Sequence, residues 1–136
     1  MTTIDFLKRE RATRSFQAGE PIFSEGEVGD VMYAVVGGEV RILCRGQVLE
    51  TVGEGGIFGE LALLDDRPRS ASAIASTDCK VAVIDLKRFG VLVQQTPFFA
   101  VEVMRVMAER LRRLTRQDSR GSIFSSDGVQ PPGARP

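Results

Sequence analysis

The chain has 136 residues with 18 basic and 18 acidic side chains, and it holds two cysteines and no histidine. That length suits one domain with a core of its own, and the even charge balance argues against a protein built chiefly to grip nucleic acid or an anionic membrane. The missing histidine removes Ser-His-Asp, Cys-His and His-metal chemistry, so neither an enzyme nor a metal site is expected, and two cysteines cannot build a disulfide framework or a four-ligand zinc site.

In chain order, Met1 to Arg14 is charged and lacks the apolar core of a signal peptide. No apolar run nears the ~20 residues of a membrane span; the longest uncharged one, Val31 to Val36, is strand-sized. A cytoplasmic protein with reduced thiols is expected, without membrane contact. Arg11 to Phe16 reads as a first strand. Ala18-Gly19-Glu20-Pro21 reads as a turn, with Ile22-Phe23 following it. A glycine-marked loop, Glu25-Gly26-Glu27-Val28-Gly29-Asp30, leads into a β-branched and aromatic strand over Val31 to Val36. Gly37-Gly38 signals a hairpin back through Glu39 to Cys44, and Arg45-Gly46 turns the chain into Gln47 to Val52. Strands at this spacing suggest an all-β sandwich or barrel.

The pattern then changes. Gly53-Glu54-Gly55-Gly56 is a loop, and Phe58 to Leu64 suits one or two helical turns before the break at Asp65-Asp66-Arg67-Pro68. Arg69 to Ala75 and Cys79 to Ile84 read as two more strands. Cys44 and Cys79, each in an apolar run, read as buried small hydrophobes. Asp85 is placed to cap a helix from Leu86 to about Thr96. Pro97 is placed to start a second helix, capped by Thr96, that runs to about Gln117. That helix carries two apolar stripes. One comprises Val101, Met104, Ala108 and Leu111; the other comprises Phe99, Val103, Val106, Met107 and Leu114. Two stripes suit a helix that packs on its own domain and on a partner. The expected organisation is one domain over 1–118, with its β part over 11–85 and its helices over 86–117. A disordered tail, poor in anything to bury, is expected over 119–136.

The segment with chemistry in it is Phe58 to Ala73. Gly59 lets a ligand approach the backbone without a Cβ in the way. The turn after it exposes amide N–H groups around Leu61 and Ala62, which form an anion site. Arg69 follows about ten residues later with a guanidinium that binds two phosphate oxygens at once. Ser70 adds an N–H and a hydroxyl. Glu60 would repel phosphate but would accept hydrogen bonds from sugar hydroxyls. One neutralised charge beside one recognised diol describes a nucleoside monophosphate, and no Walker-type Gly-Lys-Ser/Thr is present for a longer phosphate chain.

Phe58-Gly59-Glu60-Leu61-Ala62-Leu63-Leu64 followed by Pro68-Arg69-Ser70-Ala71 resembles the phosphate-binding cassette of the cyclic nucleotide-binding domain family. Glu25 to Asp30, Tyr33 and Gly38-Glu39-Val40 are similar to that family's glycine-marked turns. The resemblance covers about residues 6–117. It implies a mainly β fold, a double-stranded β-helix or jelly-roll β-roll, flanked by a short N-terminal helix and two C-terminal helices. It further implies that Glu60 and the Gly59 backbone bind the ribose 2′-hydroxyl. Arg69, with the amides near Ala62 and Ser70, would hold the cyclic phosphate. Leu63 would couple the cassette to the C-terminal helices, and Ile42 and Leu49 would line the base pocket. By the same resemblance Thr115 would face the base, though Leu114 leaves one of two family hydroxyls missing. The implied ligand is cyclic AMP (cAMP), favoured over cyclic GMP (cGMP), with no cofactor. The implied partners are a second copy, through the helix at about 97–117, and an unidentified protein effector. Nucleic acid is not an expected partner of the isolated chain, since residues after the long helix do not read as a helix-turn-helix. The alternatives are part of a cAMP-receptor-type DNA-binding regulator and a ligand-free scaffold of the same fold.

Overall fold

The computed structural model describes residue 10 and residues 12–121, with side chains as far as residue 113. Among the described residues eight strands are formed: β1 (Thr13–Phe16), β2 (Pro21–Phe23), β3 (Val31–Gly37), β4 (Val40–Cys44), β5 (Gln47–Val52), β6 (Ile57–Phe58), β7 (Ser72–Ala75) and β8 (Cys79–Asp85). A 3-10 turn, Glu60–Leu63, lies between β6 and β7, and two helices follow β8, α1 (Leu86–Gln95) and α2 (Phe98–Gly121). The strands make two four-stranded sheets, in the orders β1-β8-β3-β6 and β2-β7-β4-β5. This is the mainly β roll with C-terminal helices that the cassette implied.

The period-two pattern explains the core. Tyr33 and Val35 of β3, Val81 of β8 and Phe58 of β6 face Val40, Val52, Ala73 and Ala75 of the other sheet, with Phe16 and Phe23 in the same cluster. The intervening residues of β3 and β8 are apolar too. Met32, Ala34, Ala82 and Ile84 are fully buried, so these two strands carry a covered layer on both faces. Helix α1 packs on β8, its Leu92 is fully buried, and the Phe89 and Phe99 rings meet with centroids 5.6 Å apart. Glu10, buried before β1, accepts from both Arg88 Nε (2.8 Å) and Arg88 Nη2. The chain entering the roll is thereby tied to α1, and the hydrogen bonding to the Glu10 carboxylate is what chiefly raises the Arg88 pKa. The described chain divides after Phe99 into two compact units, the roll with α1 and the rest of α2.

Several boundaries differ from expectation. Strand β1 begins at Thr13 and β7 only at Ser72. Arg69 leaves the β4 ladder because its main chain pairs elsewhere, its N–H donating to Glu27 O (2.7 Å) and its carbonyl accepting from Gly26 N (2.8 Å). Strand β6 was not expected, being too short to show a period. Asp85 caps α1 as expected, accepting from Arg88 N at 2.7 Å. Thr96 ends α1, donating its N–H to Leu92 O (2.8 Å), and its carbonyl accepts from Phe99 N. Pro97 therefore sits in the turn and α2 starts one residue later. Helix α2 also runs past Gln117 to Gly121, so residues 119–121, expected in the tail, are helical; no strong breaker precedes that glycine. The expected N-terminal helix and the tail over 122–136 lie outside the described residues. Among the described residues no helix is long and apolar enough to cross a membrane.

Candidate functional site

Arg69 is the centre of the site. The loop between β2 and β3 clamps its main chain at Gly26 and Glu27, which turns the side chain inward. Only 8% of the residue is exposed. Its Nη1 donates to Gly59 O at 3.1 Å and its Nη2 to Val31 O at 2.8 Å, while Nε is buried with no hydrogen-bond partner. The guanidinium lies over the Phe23 ring, with Cζ 4.0 Å from the centroid, and 5.8 Å from that of Tyr33. Burial pushes the Arg69 pKa below the ordinary arginine value, opposed by Tyr33, Asp30 and Glu27 in that order. The group stays charged at any physiological pH. A buried cation held mainly by neutral acceptors is costly unless a counter-charge arrives. The arrangement is one that an anion would complete.

Gly59 and Glu60 come to the same place from β6. Gly59 adopts φ +75°, a left-handed conformation that favours glycine, and a Cβ there would stand 2.9 Å from Arg69 Nη1. Glu60 opens the 3-10 turn and is buried, at 5% exposed. The turn packs on β3. Gly59 O thus joins the segments, accepting from Arg69 Nη1 and, within the turn, from Ala62 N at 3.3 Å. This revises one detail of the expected cradle. Ala62 N–H already has an acceptor, though a long one, and a four-residue turn carries little macrodipole, so the guanidinium is the dominant positive group.

The other predicted residues fall as follows. Leu61 is half exposed and Ser70 exposed, its carbonyl taking the Cys44 thiol at 3.7 Å. Ile42 is partly buried against the core cluster. Leu49 is exposed and is the extra residue of a bulge, since Ile42 pairs with Glu50 but Leu43 with Val48. Leu63 is partly buried. Thr115 is on α2, its side chain beyond those described. Sequence reasoning missed three contributors: the Val31 carbonyl, the Phe23 ring, and Gly29, where a Cβ would overlap the guanidinium. The unalternating pair Ile22-Phe23, apolar at both positions, was the available signal. Among the described residues no group of three or more acidic residues and cysteines could hold a metal ion.

Fold and site together define a β-roll binding domain in which one arginine sits beneath a short glycine-led turn. The family model described as "Cyclic nucleotide-binding domain" matches residues 13–96, and the chain belongs to that family. It is 36% identical over 104 residues to the cyclic AMP receptor protein of Thermus thermophilus, covering 73% of this chain and 48% of that protein. It is 46% identical over 72 residues to a cAMP-dependent protein kinase regulatory subunit of Emericella nidulans, covering 52% of this chain and 18% of that one. Among solved structures it resembles the Thermus thermophilus catabolite activator protein, with a TM-score of 0.73 and 30% identity over 88% of this chain and 57% of that one. The chain spans about half the length of the receptor-type relatives it matches.

Proposed function

We propose that this domain binds a cyclic nucleoside monophosphate, cyclic AMP in preference to cyclic GMP, as a regulatory sensor that acts through its C-terminal helices. The observation that carries the reading is Arg69, a buried guanidinium with an unpartnered Nε beside Gly59 and Glu60. A cyclic phosphate supplies the missing negative charge, and the Glu60 carboxylate suits the ribose hydroxyl next to it. Ser70, Ile42 and Leu49 are assigned to the phosphate and base sides of the same ligand. The names of the relatives favour cyclic AMP. Ligand binding selects one arrangement of the helices over another, to the extent that the ligand's affinity differs between them.

Two further parts belong to this reading. Met104 and Leu111, seven residues apart on α2, are 60% and 65% exposed, and a second copy is the proposed cover for that stripe. The relatives' greater length supports a sensor coupled to an output supplied by another segment or chain. Isothermal calorimetry with cyclic AMP and cyclic GMP tests the central claim. Heat at micromolar cyclic AMP and a weaker response to cyclic GMP are expected; no heat with either at millimolar concentration refutes it.

A further inference from the structure

Arginine has several rotatable bonds, and a guanidinium that must meet a small anion in one orientation has to be held before the anion arrives. The two carbonyl acceptors, Gly59 O and Val31 O, fix Arg69 within its own plane. They do little against tilting out of that plane. The aromatic group nearest the guanidinium is Phe23, whose ring centroid is 4.0 Å from Cζ.

Strand β2 is three residues long and sits at a sheet edge, and its pairing with β7 shifts register between Pro21 and Phe23. A regular strand would turn either Ile22 or Phe23 outward. The irregularity lets both be buried, and it brings the Phe23 ring under the guanidinium with Cζ 4.0 Å from the centroid, inside the ~6 Å range of cation–π attraction. The ring is itself braced. Its centroid lies 5.8 Å from that of Tyr33 and 6.0 Å from that of Phe58, and those two stack at 5.1 Å. Gly29 clears the remaining space, because a Cβ there would overlap the guanidinium.

We infer that Phe23 is a positioning residue for Arg69, the aromatic platform that sets the tilt of the guanidinium presented to the cyclic phosphate. The inference rests on the cyclic-nucleotide function proposed above. Its test combines a spectroscopic and a binding measurement. In proton–nitrogen NMR of the ligand-free protein the Arg69 Nε–Hε signal, assigned by its loss in Arg69→Lys, should be displaced upfield by the ring current of Phe23. Phe23→Leu should abolish that displacement and weaken cyclic AMP binding roughly tenfold, while Phe23→Tyr, which keeps the ring, should retain both. An undisplaced wild-type signal overturns the inference whatever Phe23→Leu does, including failing to fold. So does a folded Phe23→Leu that binds as wild type, or a Phe23→Tyr as weak as Phe23→Leu. A wild-type protein that binds no cyclic nucleotide refutes the underlying function instead, and the ring displacement still decides whether Phe23 holds the guanidinium.

Discussion

Arg69 combines two roles that pull in opposite directions, a structural bridge between β3 and the 3-10 turn and a charge waiting for a ligand. In the proposed complex, removing it takes away two charge-assisted hydrogen bonds to phosphate, each worth about 1.5–3 kcal/mol. Arg69→Ala is therefore expected to bind cyclic AMP at least about a hundredfold more weakly by calorimetry, with the roll intact by circular dichroism. Gly59→Ala meets a different cost. Its φ of +75° disfavours any Cβ by about 1–2 kcal/mol, and the new carbon would crowd Arg69 Nη1. Urea denaturation should show a loss of at least that size, accompanied by weaker ligand binding. The thiols give a third measurement. Cys79 is buried, and burial first, then Asp78 and Glu20, pushes its pKa up; Cys44 is half-buried beside Ser70. A thiol reagent should label Cys44 well before Cys79, and cyclic AMP should slow the Cys44 reaction if Ser70 lines its site.

At the scale of elements, local signals were read well and distant ones poorly. The Asp85 cap and the Arg45-Gly46 turn between β4 and β5 are written within a few adjacent residues, and both formed where expected. The hairpin expected at Gly37-Gly38 did not form, because β3 and β4 on either side of it join different sheets and pair with distant strands instead. Asp85→Ala is expected to cost about 1 kcal/mol of stability in thermal or urea unfolding, since it strips Arg88 N of its acceptor. The candidate site was legible in part for the same reason. Gly59, Glu60 and Arg69 fall within eleven residues, inside a cassette that can be recognised as a string. Their partners do not. The Val31 carbonyl is 38 positions from Arg69, Phe23 is farther still, and no period in the sequence states that these meet. The late start of β7 was hidden likewise, because the competing partner of Arg69 is the loop at Gly26–Glu27.

For the whole molecule, the exposed pair on α2 sets the main expectation. Burying two large apolar side chains across a two-fold interface repays their exposure at roughly 25 cal/mol per Å² of apolar surface. A Met104→Glu, Leu111→Glu double variant is expected to shift the protein from dimer to monomer in sedimentation equilibrium while leaving the roll folded. A wild-type chain that sediments as a monomer at every concentration removes the proposed homodimer. The β class was legible, since short strands between glycine turns suggest a sandwich or barrel, and the roll with its C-terminal helices was implied by the resemblance of the cassette. How α2 divides its stripes between buried Val103 and exposed Met104 was not, because both stripes are apolar in the sequence.

The pairing of β1 with β8, Thr13 against Ala82 and Phe16 against Cys79, also bears on how the protein is made. The first of the described strands pairs with the last, some seventy residues later. Until β8 emerges, β3 lacks one of its two neighbours and keeps only the short β6 beside it, and much of its apolar surface stays uncovered. Closing the roll is thus a late, long-range event, and loop-closure entropy is expected to make it slow for a chain of this size. The newborn domain depends for that interval on whatever shields unfinished β-sheets from one another.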